Sequence, residues 1–353
     1  VEGPAATLTL AVDPAGGLGD YELKLNSYDL AVDIELYDAL QRLRFEHPGV
    51  KAVVLTGGLD KVFCAGANIG MLAAASHAHK VGFCKFTNET RNGIEEMSAQ
   101  GGQVVIAAVN GTAAGGGYAL ALACDEILLV DDRSSSVSLP EVPLLAVLPG
   151  TGGLTRVVDK RHVRRDLADV FATKAEGVRG RPAVEWGLVD AVAPPSGFAE
   201  LVRSRAEARA AESDRLDGGE GIVLGPLEHR FVSVDLDPGL GVAYVTVRAF
   251  SSLAESLAAC RELDAAVLDL RFNEPEAGTW VLRTEGEAAA VLVADEQAGA
   301  AGWLPREVRL FWGRTLKRLD VSPRTLVALI EPGSCFAGTL AELALAADRT
   351  LLL

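Results

Sequence analysis

Short apolar runs separated by small and polar residues organise this chain. Thr7 to Val12, Val50 to Thr56, Val104 to Val109 and Ile127 to Val130 are rich in aliphatic and β-branched residues and read as strands. Between them, Leu30 to Arg44 and Tyr118 to Cys124 carry helical patterns. Strands alternating with helices predict an α/β fold on a mainly parallel sheet with crossover helices. Leu201 to Ala211 reads as a further helix. It leads into Glu212-Ser213-Asp214-Arg215-Leu216-Asp217-Gly218-Gly219-Glu220-Gly221, a polar, glycine-rich run typical of a boundary. The expected organisation is one domain over residues 1–211, a linker over 212–225 and a second domain over 226–353. Charges interrupt the apolar segments, Asp125 and Glu126 splitting Ala119 to Val130, so no membrane span is predicted.

Chemistry concentrates in Ala107-Ala108-Val109-Asn110-Gly111-Thr112-Ala113-Ala114-Gly115-Gly116-Gly117-Tyr118-Ala119-Leu120, where a strand enters a small-residue loop that opens into a helix. Such a loop exposes backbone N–H groups, and the helix N-terminus adds a partial positive charge that favours a developing oxyanion. Phe63-Cys64-Ala65-Gly66-Ala67-Asn68, following the strand Val50 to Thr56, is a second small-residue turn able to present one more N–H. Two donors from two loops make an oxyanion hole. The glycine run does not fit GxGxxG and the chain has no GK[ST], which removes dinucleotide-dependent and P-loop chemistry.

These residues resemble the crotonase superfamily of acyl-CoA enzymes. Cys64-Ala65-Gly66-Ala67-Asn68 and Asn110-Gly111 through Gly115-Gly116-Gly117 look like its two oxyanion loops, and Pro140-Glu141 like its catalytic Pro-Glu. Leu148-Pro149-Gly150-Thr151-Gly152-Gly153-Leu154 looks like its PGxGG turn, and Gly187-Leu188-Val189-Asp190 like its GLVD. The resemblance implies a ββα spiral with oxyanion donors Ala67 and Gly116 and an acid/base Glu141. It further implies that coenzyme A runs past Leu25, Phe63, Ala65, Asn68 and Ile69 as part of the substrate, with no prosthetic group and no metal. The first turn of the helix after the glycine loop usually carries a second glutamate in this family; here the position is Ala119.

Beyond the linker the chain repeats itself faintly. Ala346-Ala347-Asp348 answers Ala123-Cys124-Asp125, and Pro332-Gly333-Ser334-Cys335-Phe336-Ala337-Gly338 answers the first glycine loop. Val267-Leu268-Asp269-Leu270 is read as the strand of that second copy. Nothing there matches Ala65-Gly66-Ala67-Asn68, and Thr339-Leu340 replaces Gly116-Gly117, so a degenerate, non-catalytic crotonase-like domain is expected, incomplete at its C-terminal end. The duplication, with stretches such as Phe83-Cys84-Lys85-Phe86-Thr87-Asn88-Glu89-Thr90-Arg91-Asn92, resembles the ring-opening lyases of that superfamily. These take 2,3-epoxy-2,3-dihydrobenzoyl-CoA and water to a dehydroadipyl-CoA semialdehyde and formate. Ala119 keeps two alternatives open: an enoyl-CoA isomerase or hydratase with a single glutamate, and a CoA-binding pseudoenzyme.

Charge and cysteine usage refine the expected partners. The net charge of −15 argues against a nucleic-acid or anionic-membrane footprint, so CoA phosphates need a local basic exception. Lys160-Arg161-His162-Val163-Arg164-Arg165 is either that exception or a solvated helix face beside Asp159 and Asp166. Cys64, Cys84, Cys124, Cys260 and Cys335 form no CxxC pair, which fits reduced thiols in a cytoplasmic protein, and His77 and His79 lack metal-site spacing. An acyl-CoA thioester and a homo-oligomer, a dimer in the first instance, are the expected partners.

Overall fold

The computed structural model describes every residue except 217, so that one position of the expected linker lies outside the described residues. The chain divides into two compact units, Val1–Ile222 and Val223–Leu353.

Unit 1 opens with β1 (Ala5–Leu10) and α1 (Leu30–Phe45), then stacks three ββα turns. The first is β2 (Ala52–Gly57), β3 (Lys61–Cys64) and α2 (Ile69–Ala74), followed by the long α3 (His77–Ala99). The second is β4 (Val104–Val109), β5 (Gly111–Ala114) and α4 (Gly116–Ala123); the third is β6 (Glu126–Val130), β7 (Val137–Ser138) and α5 (Glu141–Leu145). Then come α6 (Gly153–Thr155), a π-helical turn over Arg156–Lys160, α7 (Arg165–Thr173), α8 (Gly180–Glu185), β8 (Ala191–Ala193) and α9 (Pro195–Glu212).

The long strands form one parallel sheet, β1-β2-β4-β6-β8, and the short ones a second, β3-β5-β7. α9 lays Phe198, Leu201, Val202, Ala206 and Ala210, which share one helical face, against Ala52, Val54, Ile106, Ala108 and Leu128 of the larger sheet. The polar run after α9 packs back onto unit 1. Arg215 is buried and donates to the carbonyls of Pro48, Gly101 and Arg44, and Ile222 N–H bonds to Phe45 O. Its guanidinium needs those carbonyls, because a buried charge without partners is costly.

Unit 2 is a five-stranded sheet in the order β13-β12-β11-β10-β9. Its strands are β9 (Val232–Asp237), β10 (Val242–Arg248), β11 (Thr279–Glu285), β12 (Thr325–Ile330) and β13 (Arg349–Leu352), antiparallel only between β9 and β10. The helices are α10 (Leu253–Phe272), α11 (Ala288–Ala298), α12 (Trp303–Asp320) and α13 (Ala341–Leu345). Val267-Leu268-Asp269-Leu270 is therefore not a strand but part of α10. Ser252, whose hydroxyl accepts from Glu255 N–H, starts that helix, and a short apolar run cannot by itself separate a strand from a buried helix.

The internal repeat has a physical signature. Asp125 N–H donates to Val105 O while its carboxylate accepts from Val105 N–H, clamping the start of β4. Asp348 clamps Leu326 of β12 in the same two-way fashion, and Asp190 repeats the device on Ile127 of β6.

Candidate active site

Because β3, β5 and β7 run parallel as neighbours, their carboxyl ends bring three loops side by side. These hold Ala65–Asn68 before α2, Gly115–Gly116 before α4, and Leu139–Glu141 at the start of α5. The first loop is also threaded by residues 25–28: Ala65 N–H bonds to Leu25 O, Tyr28 N–H to Gly66 O and Asn68 N–H to Tyr28 O. In that parallel pairing the Ala67 N–H points away from Tyr28. Gly116 begins α4, where backbone N–H groups have no intrahelical acceptor.

The two donors lie close together. A Cβ built on Gly116 would sit 3.4 Å from Ala67 N, and one on Gly66 would sit 2.8 Å from Gly116 N and 2.7 Å from Ala114 O. Gly66 also has φ of +83°, so no other residue allows this approach without strain.

Glu141 faces the same place. Its Oε1 lies 3.0 Å from where a Cβ on Gly115 would be, and its buried Oε2 has no hydrogen-bond partner. Burial pushes the Glu141 carboxyl above the ordinary glutamate value. Ala119 is fully buried, one helical turn beyond Gly115 and so on the same face of α4.

The structure sorts the remaining expected contacts. Leu25 and Ile69 are exposed and Ala65 is half-buried, so these three can meet a ligand. Phe63 cannot present its ring, which is fully buried beneath β3. The Asn68 side chain is occupied: Oδ1 caps α2 at Met71 N–H, and Nδ2 donates to Glu22 O and Ser27 Oγ. The basic run is a set of ion pairs, Lys160 with Glu95, Arg161 with Asp190, Arg164 with Asp166 and Arg165 with Asp169. That arrangement favours the solvated-face alternative over a phosphate site.

Cys64 donates to Asn26 O at 3.0 Å and accepts from Gly66 N–H, and burial pushes its thiol up to about 12. It is therefore held as a thiol, not a nucleophile. Iodoacetamide at about pH 8 is expected to leave Cys64 unmodified in the folded protein by peptide mass spectrometry. Alkylation at the rate of the unfolded chain would refute this.

In unit 2, Thr339 holds the position of Gly116, and its N–H donates to Asp295 Oδ2 at 2.7 Å while its hydroxyl donates to Oδ1. Asp295 thus occupies the donor that an oxyanion would need. Titration calorimetry with a non-hydrolysable thioester analogue is expected to give one site per chain, and two would contradict this.

Sequence reading missed Arg91, Tyr28 and Asp33, which lie behind the loops. Arg91 is fully buried, and its Nη2 donates to Tyr28 Oη and to Gly116 O. A signal was present: Phe83, Phe86, Thr87, Thr90, Arg91 and Ile94 form the buried stripe of α3, and an arginine on such a stripe requires buried partners.

A family model described as enoyl-CoA hydratase/isomerase matches residues 22–216. The chain is 56% identical over 378 aligned positions to the benzoyl-CoA-dihydrodiol lyase of Aromatoleum evansii, covering 100% of this chain and 68% of that protein. It is 34% identical over 180 residues to the fatty acid oxidation complex subunit alpha of Shewanella loihica, covering 50% of this chain and 24% of that one. Among solved structures, an enoyl-CoA hydratase of Geobacillus kaustophilus HTA426 superposes with a TM-score of 0.52 at 34% identity, over 60% of this chain and 72% of that one. With the family match spanning more than half of its length and ordered on the loops that converge here, the chain belongs to the enoyl-CoA hydratase/isomerase family, the crotonase superfamily.

Proposed function

We propose that this protein is a carbon–carbon lyase that opens the ring of 2,3-epoxy-2,3-dihydrobenzoyl-CoA with two molecules of water, giving 3,4-didehydroadipyl-CoA semialdehyde and formate. The observation that carries the reading is the close approach of the Ala67 and Gly116 loops beside the Glu141 carboxylate, which packs against Gly115 and has one oxygen buried without a partner. The likeness of the whole chain to 68% of a benzoyl-CoA-dihydrodiol lyase supports the choice of acyl group.

In this reading the thioester carbonyl lies between the two N–H groups. The carbonyl then becomes an electron sink, so bonds at the neighbouring ring carbons can be made and broken through an enolate. Loss of one such donor typically costs about 3–4 kcal/mol of barrier. Glu141, its proton affinity raised by burial, moves the proton on water or substrate. Leu25, Ala65 and Ile69 flank the path of coenzyme A, which enters as part of the substrate; the chemistry calls for no prosthetic group or metal. A cytoplasmic, homo-oligomeric enzyme is the proposed setting. Among the described residues no helix is long and apolar enough to cross a membrane.

Stoichiometric formate release from the epoxide, measured with a coupled formate dehydrogenase, tests the reading. Ala119 supports a second reading, an enoyl-CoA isomerase with one proton shuttle. Double-bond migration in a linear 3-enoyl-CoA without formate from the epoxide would replace the first reading by the second.

A further inference from the structure

A buried charge lies directly behind the second oxyanion loop. Arg91 projects from α3 with Nη1 on Thr87 O and Nη2 shared between Tyr28 Oη and Gly116 O, the latter at 2.9 Å. The Tyr28 hydroxyl fills the space where a Cβ on Gly116 would stand, and the Arg91 guanidinium carbon lies 5.6 Å from the Tyr28 ring centre. Guanidinium, phenol and loop are therefore locked to one another.

Burial disfavours the charged guanidinium, but Tyr28 and Asp33 act the other way and raise its proton affinity, so the positive charge is retained inside the fold. Asp33 of α1 is buried nearby with Oδ2 unpartnered, and burial pushes its carboxyl up to about 7, well above an ordinary aspartate. The other titratable groups that act on the cluster are Glu89 of α3 and Cys64, which is held as a thiol. Among the described residues the hydrogen bonds of Arg91 go to Thr87 O, Tyr28 Oη and Gly116 O, and none goes to a carboxylate. A packing role alone would be met more cheaply by a methionine, since an arginine buried without a full counter-charge is destabilising.

We propose that Arg91 is a positioning residue of the acyl-CoA site, holding Gly116 and Tyr28 so that the Gly116 N–H stays aligned with that of Ala67, and adding its positive charge behind the bound thioester carbonyl. The inference rests on the assignment of Ala67 and Gly116 as the two donors. Fixed positive potential behind a developing oxyanion strengthens both donors, because the charge is already in place when the oxyanion forms.

The test uses 4-dimethylaminobenzoyl-CoA, a push–pull chromophore whose absorption moves to longer wavelength as its carbonyl is polarised. Binding to the unaltered full chain is expected to produce a red shift. Arg91→Met should bind the probe with at most about half of that shift, and Arg91→Lys, which keeps the charge and loses the fork, should recover part of it. Tyr28→Phe, which removes one anchor without opening a cavity, should reduce the shift to a lesser degree. It decides the matter if Arg91→Met does not fold. An undiminished shift in Arg91→Met, or in Tyr28→Phe where that variant decides, overturns the inference alone. Absence of any shift in the unaltered protein overturns the donor assignment, and the inference with it.

Discussion

Glu141→Gln is expected to abolish formate release, with a loss of at least the roughly 10²–10⁴-fold contributed by a positioned acid or base. The amide keeps the size and shape of the side chain at the start of α5, so the loops should stay in place while proton transfer is lost. Burial raises the Glu141 carboxyl above its unfolded value. A group whose folded pKa is raised contributes stability at low pH that is lost as the pH rises through the folded value. Removing it should therefore leave the variant as stable as the parent in acid and more stable than it near neutrality. Acting as a base, Glu141 must be ionised, so kcat/KM of the parent should fall as the pH drops, with a midpoint above 4.5, the ordinary glutamate value. A Glu141→Gln variant that keeps its rate and the acid limb would show that another group moves the proton.

Ala119→Glu is expected to raise formate release, by up to the same roughly 10²–10⁴-fold. Side chains on a helix lean toward its N-terminus, so a glutamate at 119 would extend back along the face that carries Gly115, toward the Glu141 carboxyl. Two carboxylates sharing one pocket hold their protons at different pH values, the arrangement that lets one donate while the other accepts. The parent methyl is fully buried, so part of the gain is offset by lower thermal stability. Glu141→Gln should cancel the gain, because residues acting on one water combine non-additively. An unchanged rate in Ala119→Glu together with a silent Glu141→Gln would favour a CoA-binding protein without turnover.

The loops that meet at the candidate site are legible in the sequence because their constraints are local. Small residues between a strand and a helix leave few conformations, and Glu141 sits in a Pro-Glu pair at the end of such a strand. β4 spans the expected Val104 to Val109, whereas β1 is displaced to Ala5–Leu10 because strand ends depend on partners that β2 supplies. What escaped depends on distant pairing. Arg164 and Asp166 are near neighbours, but Lys160 meets Glu95 and Arg161 meets Asp190 only after folding. Phe63 was placed beside a ligand by its position in the motif, but the carboxyl end of β3 is buried at both Phe63 and Cys64, which keeps the ring in the core. Arg91, Tyr28 and Asp33 come from three separate elements, so no single window of sequence contains their relation.

The contact between Asp295 and Thr339 has a consequence for how unit 2 behaves among metabolites. A tethered carboxylate competes for its own backbone donor at an effective concentration in the millimolar range or above, with no loss of translational freedom on binding. A free thioester at micromolar levels would have to displace it and leave a charged group unpaired. The Thr339 N–H is therefore expected to stay closed to acyl-CoA as the concentration of thioester rises and falls.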